Sequence, residues 1–480
     1  MRACIIGLTL IVAVGSTGCF PRKRVIWSPD GNRAAILGGD GLRMCDPHGN
    51  VSVPVPDVSD AAWFPDSQRL IIVRAGEPVT CWSEAAALLA PDRRELVEST
   101  ARRVACEAQA YTGDWVDFSP FISSGLTLGE QTAAMVFIRD NLPQALPSPL
   151  QEAWDVERLT RAVRYLQCAQ VSDQGVTLGQ VLDRSLDESF EPRMSPDGKN
   201  VAFIRLINGD HKLWRIEELP TRLYVMPIGS SAPPLEVADY VGRFPDWSPD
   251  GQYVVFARTA NWPLDDQLVL GTISRRQVCG ADGLLLQEFH DVYDLAGVVF
   301  QRDFKVRCTA DGRIIFVTMD VHLPATVGDM PEELLMFAIH PQRSPTVTRL
   351  ISRNSEEKVP AYAYAFELSP DGRFASLPGE SGIVDILDLS RGYTARVMQP
   401  FNVPKEILMT PAWKSGDELC CLGPPEAGST RRTVKLLKID FPMATVTQVL
   451  STNWPTSMAR GLLEPWTTPE DGVPTTQESQ

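Results

Sequence analysis

The sequence predicts an all-β fold, a β-propeller that carries an α-helical insertion. Three observations predict it. A phrase made of an aromatic or apolar residue, a tight turn and a short apolar run recurs along the chain. Successive copies lie one blade length apart or somewhat more, the spacing of stacked repeat units. One long stretch between copies loses the phrase and takes up helical periodicity instead.

The phrase is clearest at Trp247-Ser248-Pro249-Asp250-Gly251, which precedes Tyr253-Val254-Val255-Phe256. Trp27-Ser28-Pro29-Asp30-Gly31 precedes Ala34 to Leu37, and Trp63-Phe64-Pro65-Asp66-Ser67 precedes Leu70 to Val73. Met194-Ser195-Pro196-Asp197-Gly198 precedes Val201 to Ile204. Cys308-Thr309-Ala310-Asp311-Gly312 and Leu368-Ser369-Pro370-Asp371-Gly372 follow, and Trp413-Lys414-Ser415-Gly416-Asp417 is a weaker seventh copy. Proline presets the first corner of the turn, aspartate caps free backbone N–H groups, and glycine accepts positive φ. Asp-Gly between two apolar runs is a hairpin signal. One hairpin cannot cover its own aromatic, so neighbouring units must stack.

These phrases resemble the WD40-like propeller repeat of the TolB type. The likeness runs from residue 27 to residue 413, apart from one long gap. It implies an envelope protein whose propeller is a protein-binding platform without catalysis. The partner-binding segments of TolB are not recognisable, and neither is the domain TolB places before its propeller. The copy number favours seven blades, with six or eight left open.

Formal charge is −15, and −16 once residues 1–18 and their single Arg2 are set aside. That balance argues against nucleic acid as a partner, which needs a basic footprint. Ile5 to Val14 is apolar but too short to span a bilayer, so residues 1–18 read as an export signal. Gly15-Ser16-Thr17-Gly18-Cys19 resembles a lipobox, with Ser16 where an aliphatic residue is usual. Cys19 is therefore the expected lipidation site, and residues 19–26 a tether holding the protein to a bacterial membrane. Of the other cysteines, Cys308, Cys420 and Cys421 read as buried thiols, while a bridge between Cys106 and Cys168 is left open. No Cys/His spacing suits a metal, and no cofactor is expected.

Residues 27–82 form the first two blades. Leu42 to Asp46 reads as a strand, and Val51, Val53 and Val55 alternate as another. Residues 83–188 form the helical insertion. Val97, Ala101, Val104, Ala105 and Ala108 share a helix face. Thr127-Leu128-Gly129-Glu130 and Thr177-Leu178-Gly179-Gln180 match the capping box, and Trp154, Leu159, Ala162, Val163 and Leu166 mark a helix starting near Pro149. A degenerate blade at Trp115 to Pro120 is the lesser alternative. Residues 189–455 hold the remaining blades. There Leu213 to Ile216, after the turn Asn208-Gly209, and Leu223 to Met226 read as strands, as does Gly382 to Leu389. Val434 to Ile439 is expected to close the ring against N-terminal strands. Residues 456–480 are a polar, disordered tail.

Catalytic signals are missing. There is no G-x-S-x-G elbow, and too little chain follows the last copy for the hydrolase domain of prolyl oligopeptidase-like enzymes. Of the scattered histidines, His48, His211, His290, His322 and His340, only His290 and His322 sit in long loops worth keeping in view. Gly38-Gly39-Asp40-Gly41 is a hairpin turn rather than a phosphate cradle, since no helix opens there. The anchors Trp27, Asp30, Gly31, Trp63, Asp66, Asp197, Gly198, Trp247, Asp250, Gly251, Asp311, Gly312, Asp371, Gly372 and Trp413 read as structural. Long loops at 258–282, with Trp262, and at 318–334 are generic contact surface.

The expected function is a membrane-tethered, non-catalytic scaffold for an envelope protein partner. Two alternatives differ in class. One is a propeller enzyme with an axial site, with or without calcium, acting on a glycan or small molecule. The other is a small-molecule sensor. The enzyme requires acidic or histidine side chains converging on the channel.

Overall fold

Each phrase folds as its chemistry dictates. A short strand ends on the aromatic, the turn reverses the chain, and the apolar run returns antiparallel. In the computed structural model this occurs in seven antiparallel sheets among the described residues. Those are residues 25–38, 41–46, 48, 50–110, 125–145, 162–173, 175–187, 189–206, 221–230, 232–239, 241, 245–259, 268–274, 287–289, 305–312, 314–321, 332–339, 348–351, 366–378, 384–389, 412–425, 432–440 and 443–454.

The first sheet is β1 (Val25–Trp27), β2 (Ala34–Gly38) and β3 (Gly41–Cys45), and bridges from Leu42 to Val55 and from Cys45 to Val51 bring the expected alternating segment beside it. The second is β4 (Val58–Trp63), β5 (Arg69–Pro78), β6 (Ala162–Ser172) and β7 (Gly175–Ser185). The third is β8 (Ser189–Met194), β9 (Asn200–Leu206), β10 (Thr221–Pro227) and β11 (Leu235–Asp239). The fourth is β12 (Asp246–Trp247), β13 (Tyr253–Thr259), β14 (Leu268–Ser274) and β15 (Gln287–Phe289). The fifth is β16 (Lys305–Cys308), β17 (Ile314–Val321), β18 (Glu332–Ile339) and β19 (Thr348–Ile351). The sixth is β20 (Glu367–Leu368), β21 (Phe374–Pro378) and β22 (Val384–Asp388). The seventh is β23 (Ala412–Trp413), β24 (Glu418–Pro425), β25 (Arg432–Asp440) and β26 (Met443–Trp454).

Within every sheet the strands neighbour one another in chain order. The first strands also touch between sheets: β1 meets β23 and β4, β4 meets β8, β8 meets β12, β12 meets β16, and β20 meets β23. An ion pair between Arg307 and Glu367 joins β16 to β20. The first strands therefore stand around a common axis, and the fold is a β-propeller. Apolar side chains fill the spaces between sheets. Trp247, Val254 and Phe256 of the fourth pack on Ala202, Ile204, Leu223 and Val225 of the third.

Between β5 and β6 the described residues hold three α-helices, α1 (Trp82–Ala87), α2 (Pro91–Ala110) and α3 (Leu128–Asn141). Val97, Ala101, Val104 and Ala105 are buried against Ala133, Ala134, Phe137 and Ile138, as the periodicity requires. The capping box at Thr127 is complete. Its hydroxyl accepts from the Glu130 N–H at 3.1 Å, and Glu130 accepts from the Thr127 N–H at 2.8 Å. Asp187 then accepts from the Thr127 hydroxyl and the Gly129 N–H, tying α3 to the segment entering β8. Thr127→Ala removes the cap and is expected to cost about 1 kcal/mol, read as a lower urea midpoint.

Several expectations need correction. Of the described residues in 83–188, those up to Ala145 hold the helices and those from Ala162 to Ser185 are stranded. Ala162, Val163 and Leu166 lie on β6, and the Thr177-Leu178-Gly179-Gln180 box lies on β7. Short apolar runs fit either period, and here the long edge of β5 pairs with β6 and decides the matter. Val434 to Ile439 does not join N-terminal strands. It lies in β25, between β24 and β26, so among the described residues the ring closes by packing β1 on β23 without exchange of a strand. The 318–334 loop is narrowed from both sides by β17 and β18, and β13 and β14 take part of 258–282. Cys106 and Cys168 are both free thiols, on α2 and β6. Residues 1–24 with Cys19, Trp115 to Pro120, Trp154, Asn208 to Ile216, Trp262, Cys279, His290, His322, His340 and 456–480 lie outside the described residues.

Candidate functional site at the propeller axis

The anchors occupy a rim of turns. In the turn at Ser28, the serine hydroxyl donates to Asp30 at 2.6 Å and accepts the Arg33 N–H at 3.0 Å, while Asp30 accepts the Asn32 N–H. Ser195 with Asp197, Ser248 with Asp250, Thr309 with Asp311 and Ser369 with Asp371 repeat the hydroxyl-to-carboxylate bond. Asp66 accepts from the Gln68 and Arg69 N–H groups instead. Burial works against the Asp30 charge, but bonds from Ser28, Asn32 and Ser67 outweigh it and hold its carboxyl below the usual range. The glycines Gly31, Gly198, Gly251, Gly312 and Gly372 have φ from +67° to +82°. Neighbouring turns touch. A Cβ on Gly198 would meet Pro65, one on Gly251 would meet Pro196, and one on Gly372 would meet Thr309.

The tryptophans bind sheet to sheet. The indole N–H of Trp63 donates to the Ile26 carbonyl at 2.8 Å, that of Trp247 to Arg193 at 2.9 Å, and that of Trp413 to Glu367 at 3.1 Å. In each case the acceptor is the residue immediately before another sheet's own anchor. The Trp27 indole N–H has no such partner, and Lys414 lies over its ring instead.

That same position carries the charges. Directly before their anchors, four consecutive sheets place Arg193, Asp246, Arg307 and Glu367, alternating in sign. The equivalent residues of the seventh, first and second sheets are Ala412, Ile26 and Ala62. Two further carboxylates lie three residues before their anchors, Asp60 on β4 and Glu191 on β8. Arg307 and Glu367 are buried and pair at 3.8 Å. Arg193 pairs with Glu191 at 3.3 Å. Asp246 accepts the Cys308 N–H at 2.9 Å, and Asp60 accepts the Glu191 N–H at 2.8 Å.

The electrostatics cross the axis. Burial disfavours the Arg193 charge, but Glu191, Asp246, Glu367 and Asp60, drawn from four sheets, outweigh it and raise its pKa. Burial and then the neighbouring Arg193 push Arg307 the other way, against Glu367, Asp246 and Glu191. Glu191 itself sits at φ +47°, where β8 and β9 shift register between Phe190 and Arg193. A non-glycine residue in that region is strained, and such bulges re-aim side chains. The Arg193 Nε is buried without a hydrogen-bond partner. Carboxylates can take or give protons here, and guanidinium groups can face developing negative charge. Among the described residues no group of three His, Cys, Asp or Glu is arranged to hold a metal ion.

None of the anchor residues belongs to this cluster; they form the rim and the walls between sheets. Of the histidines, His48 lies in the exposed turn at Asp46, which accepts its N–H. Cys45 is buried, and that burial pushes its thiol up to about 12, so it is no nucleophile. The axial residues had a legible signal: aligning the repeats and reading one position upstream of each anchor returns four charges in a row.

No family model matches the chain, and no curated protein does. Among solved structures it is similar to an oligogalacturonate lyase in complex with manganese, at 10% identity over 83% of this chain and 84% of that one, with a TM-score of 0.44. A periplasmic gluconolactonase from Pseudomonas aeruginosa is similar at 12% identity over 88% and 94%, with a TM-score of 0.42. So is a putative 6-phosphogluconolactonase from Bacteroides uniformis, at 9% over 78% and 82%, with a TM-score of 0.36. At such identities the likeness concerns the fold. The structures so named are enzymes, in contrast to the non-catalytic protein-binding scaffold, and to the absence of enzyme activity, expected from the sequence.

Proposed function

We propose that the chain is a propeller enzyme whose site lies on the axis and acts on a glycan or another small polar molecule. One observation carries this reading: charged side chains of both signs, from β4, β8, β12, β16 and β20, gather within reach of one another. Removing paired charges from water weakens a fold as often as it strengthens it, so such a network is poorly explained by stability alone. Shifted titration and strained backbone cluster at functional sites. Asp246 and Glu191 are the acid–base candidates, and Arg193 and Arg307 the groups that face negative charge.

The names of the similar structures supply the first substrates to try: oligogalacturonates, gluconolactone and 6-phosphogluconolactone, beside neutral oligosaccharides. Turnover of at least one is expected, with Asp246→Asn lowering kcat/KM tenfold or more while the melting temperature stays within a few degrees. Absence of turnover across the panel, with wild type and Asp246→Asn alike, would remove the enzyme reading.

The proposal extends to the chain's type and place. The repeat phrases are of the TolB type, and the protein is exported and lipid-anchored through Cys19. Support comes from the motif itself and from the basic run Arg22-Lys23-Arg24 beside it. Among the described residues no helix is long and apolar enough to cross a membrane. Metabolic labelling with a fatty acid should mark the wild type and not Cys19→Ser; equal labelling of both would discard the anchor.

A further inference from the structure

We infer that the axial site takes a sugar without an acid group, neutral or amine-bearing, and that Glu191 is the carboxylate that selects it. The inference rests on the axial-site reading and names its substrate class. The charged arc Arg193, Asp246, Arg307 and Glu367 is balanced in sign, and Glu191 and Asp60 add two carboxylates. Among the described residues, four carboxylates thus stand against two guanidinium groups. A ligand bringing its own carboxylate or phosphate meets that excess as repulsion, whereas hydroxyl and ammonium donors are matched by it. The arc covers four sheets only. Positions of the same register on the other three sheets are Ile26, Ala62 and Ala412, all apolar. A pyranose ring has this split, with polar edges and an apolar face.

Glu191 is singled out by its backbone. The strained φ and the register shift are held in place from outside, because Asp60 of the neighbouring sheet grips the Glu191 N–H. Its side chain keeps 14% of its surface exposed and lies close to Arg193, whose Nε has a donor to spare. Asp60 is buried and already accepts two backbone N–H groups, from Ala61 and Glu191. Asp246 is held by the Cys308 N–H. Among the described carboxylates of the cluster, Glu191 is the one that a ligand reaches with least rearrangement.

The test is calorimetric titration of the full chain with chitobiose deacetylated to its diamine, with cellotriose and with digalacturonate, repeated on Glu191→Gln and Glu191→Gly. Chitobiose diamine or cellotriose should bind at least tenfold more tightly than digalacturonate. Both variants should lose tenfold or more of that affinity. Glycine suits φ +47°, so Glu191→Gly relieves the backbone strain while giving up the Arg193 pair, and a melting temperature within a few degrees of wild type in either variant separates lost recognition from lost folding. Preferred binding of digalacturonate would overturn this inference and leave the axial site standing. Binding of the neutral sugar unchanged in both variants would remove Glu191 from the role. Failure of all three sugars to bind, with the wild type also silent in the turnover panel, would overturn the inference and the axial reading together.

Discussion

Trp247→Ala should destabilise the protein by about 3–5 kcal/mol, the usual cost of emptying a buried tryptophan site. Trp247 is 4% exposed and sits between Ala202, Ile204, Leu223 and Val225 on one side and Val254 and Phe256 on the other. The substitution removes that packing and also the indole bond to the Arg193 carbonyl. Trp247→Phe separates the two contributions: it keeps much of the packing and loses the bond, so its cost from the bond alone should be about 1 kcal/mol. Chemical denaturation reads both. A Trp247→Ala protein with an unchanged midpoint would mean that the third and fourth sheets do not depend on this joint.

Glu367→Ala should cost about 3–5 kcal/mol, because it takes from a buried guanidinium the carboxylate it pairs with. Arg307 is only 5% exposed, and burial and Arg193 already disfavour its charge. The Glu367 main-chain carbonyl keeps the Trp413 indole bond in the variant, so the loss reports on the carboxylate. The double variant Arg307→Met with Glu367→Leu removes both charges and should recover most of the stability, to within about 1 kcal/mol of wild type. Turnover should not recover, since the axis has lost two of its charges. Recovery of turnover along with stability would mark this pair as packing rather than site.

The fold was legible because its signal is local and repeated. The turn residues at Asp30, Asp197 and Asp371 fix each hairpin from chemistry within five positions. The helices at Val97 to Ala105 and Thr127 to Glu130 were readable for the same reason. The second-sheet strands at Ala162 to Leu166 and at Thr177 to Gln180 were not, because pairing of β6 with β5, about a hundred residues earlier in the chain, and then of β7 with β6, outweighs their local pattern. The axial site was hidden in another way. Arg193, Asp246, Arg307 and Glu367 are ordinary charges singly, and their meaning appears only when sheets are stacked around one axis. The anchors drew attention to the aromatic position, while the chemistry sits one residue upstream.

The closure of the ring without a shared strand bears on how the molecule is made. Apart from the helical excursion within the second, each sheet is a contiguous stretch of chain, whose pairings can form as soon as its own residues are free to fold. Domains synthesised first generally fold first, and contacts close in sequence form fastest. The arc from Arg193 to Glu367 is therefore complete before the seventh sheet exists. Docking of β23 on β1 is then the contact that must wait for the last sheet, at the joint where the Trp27 indole is left unbonded.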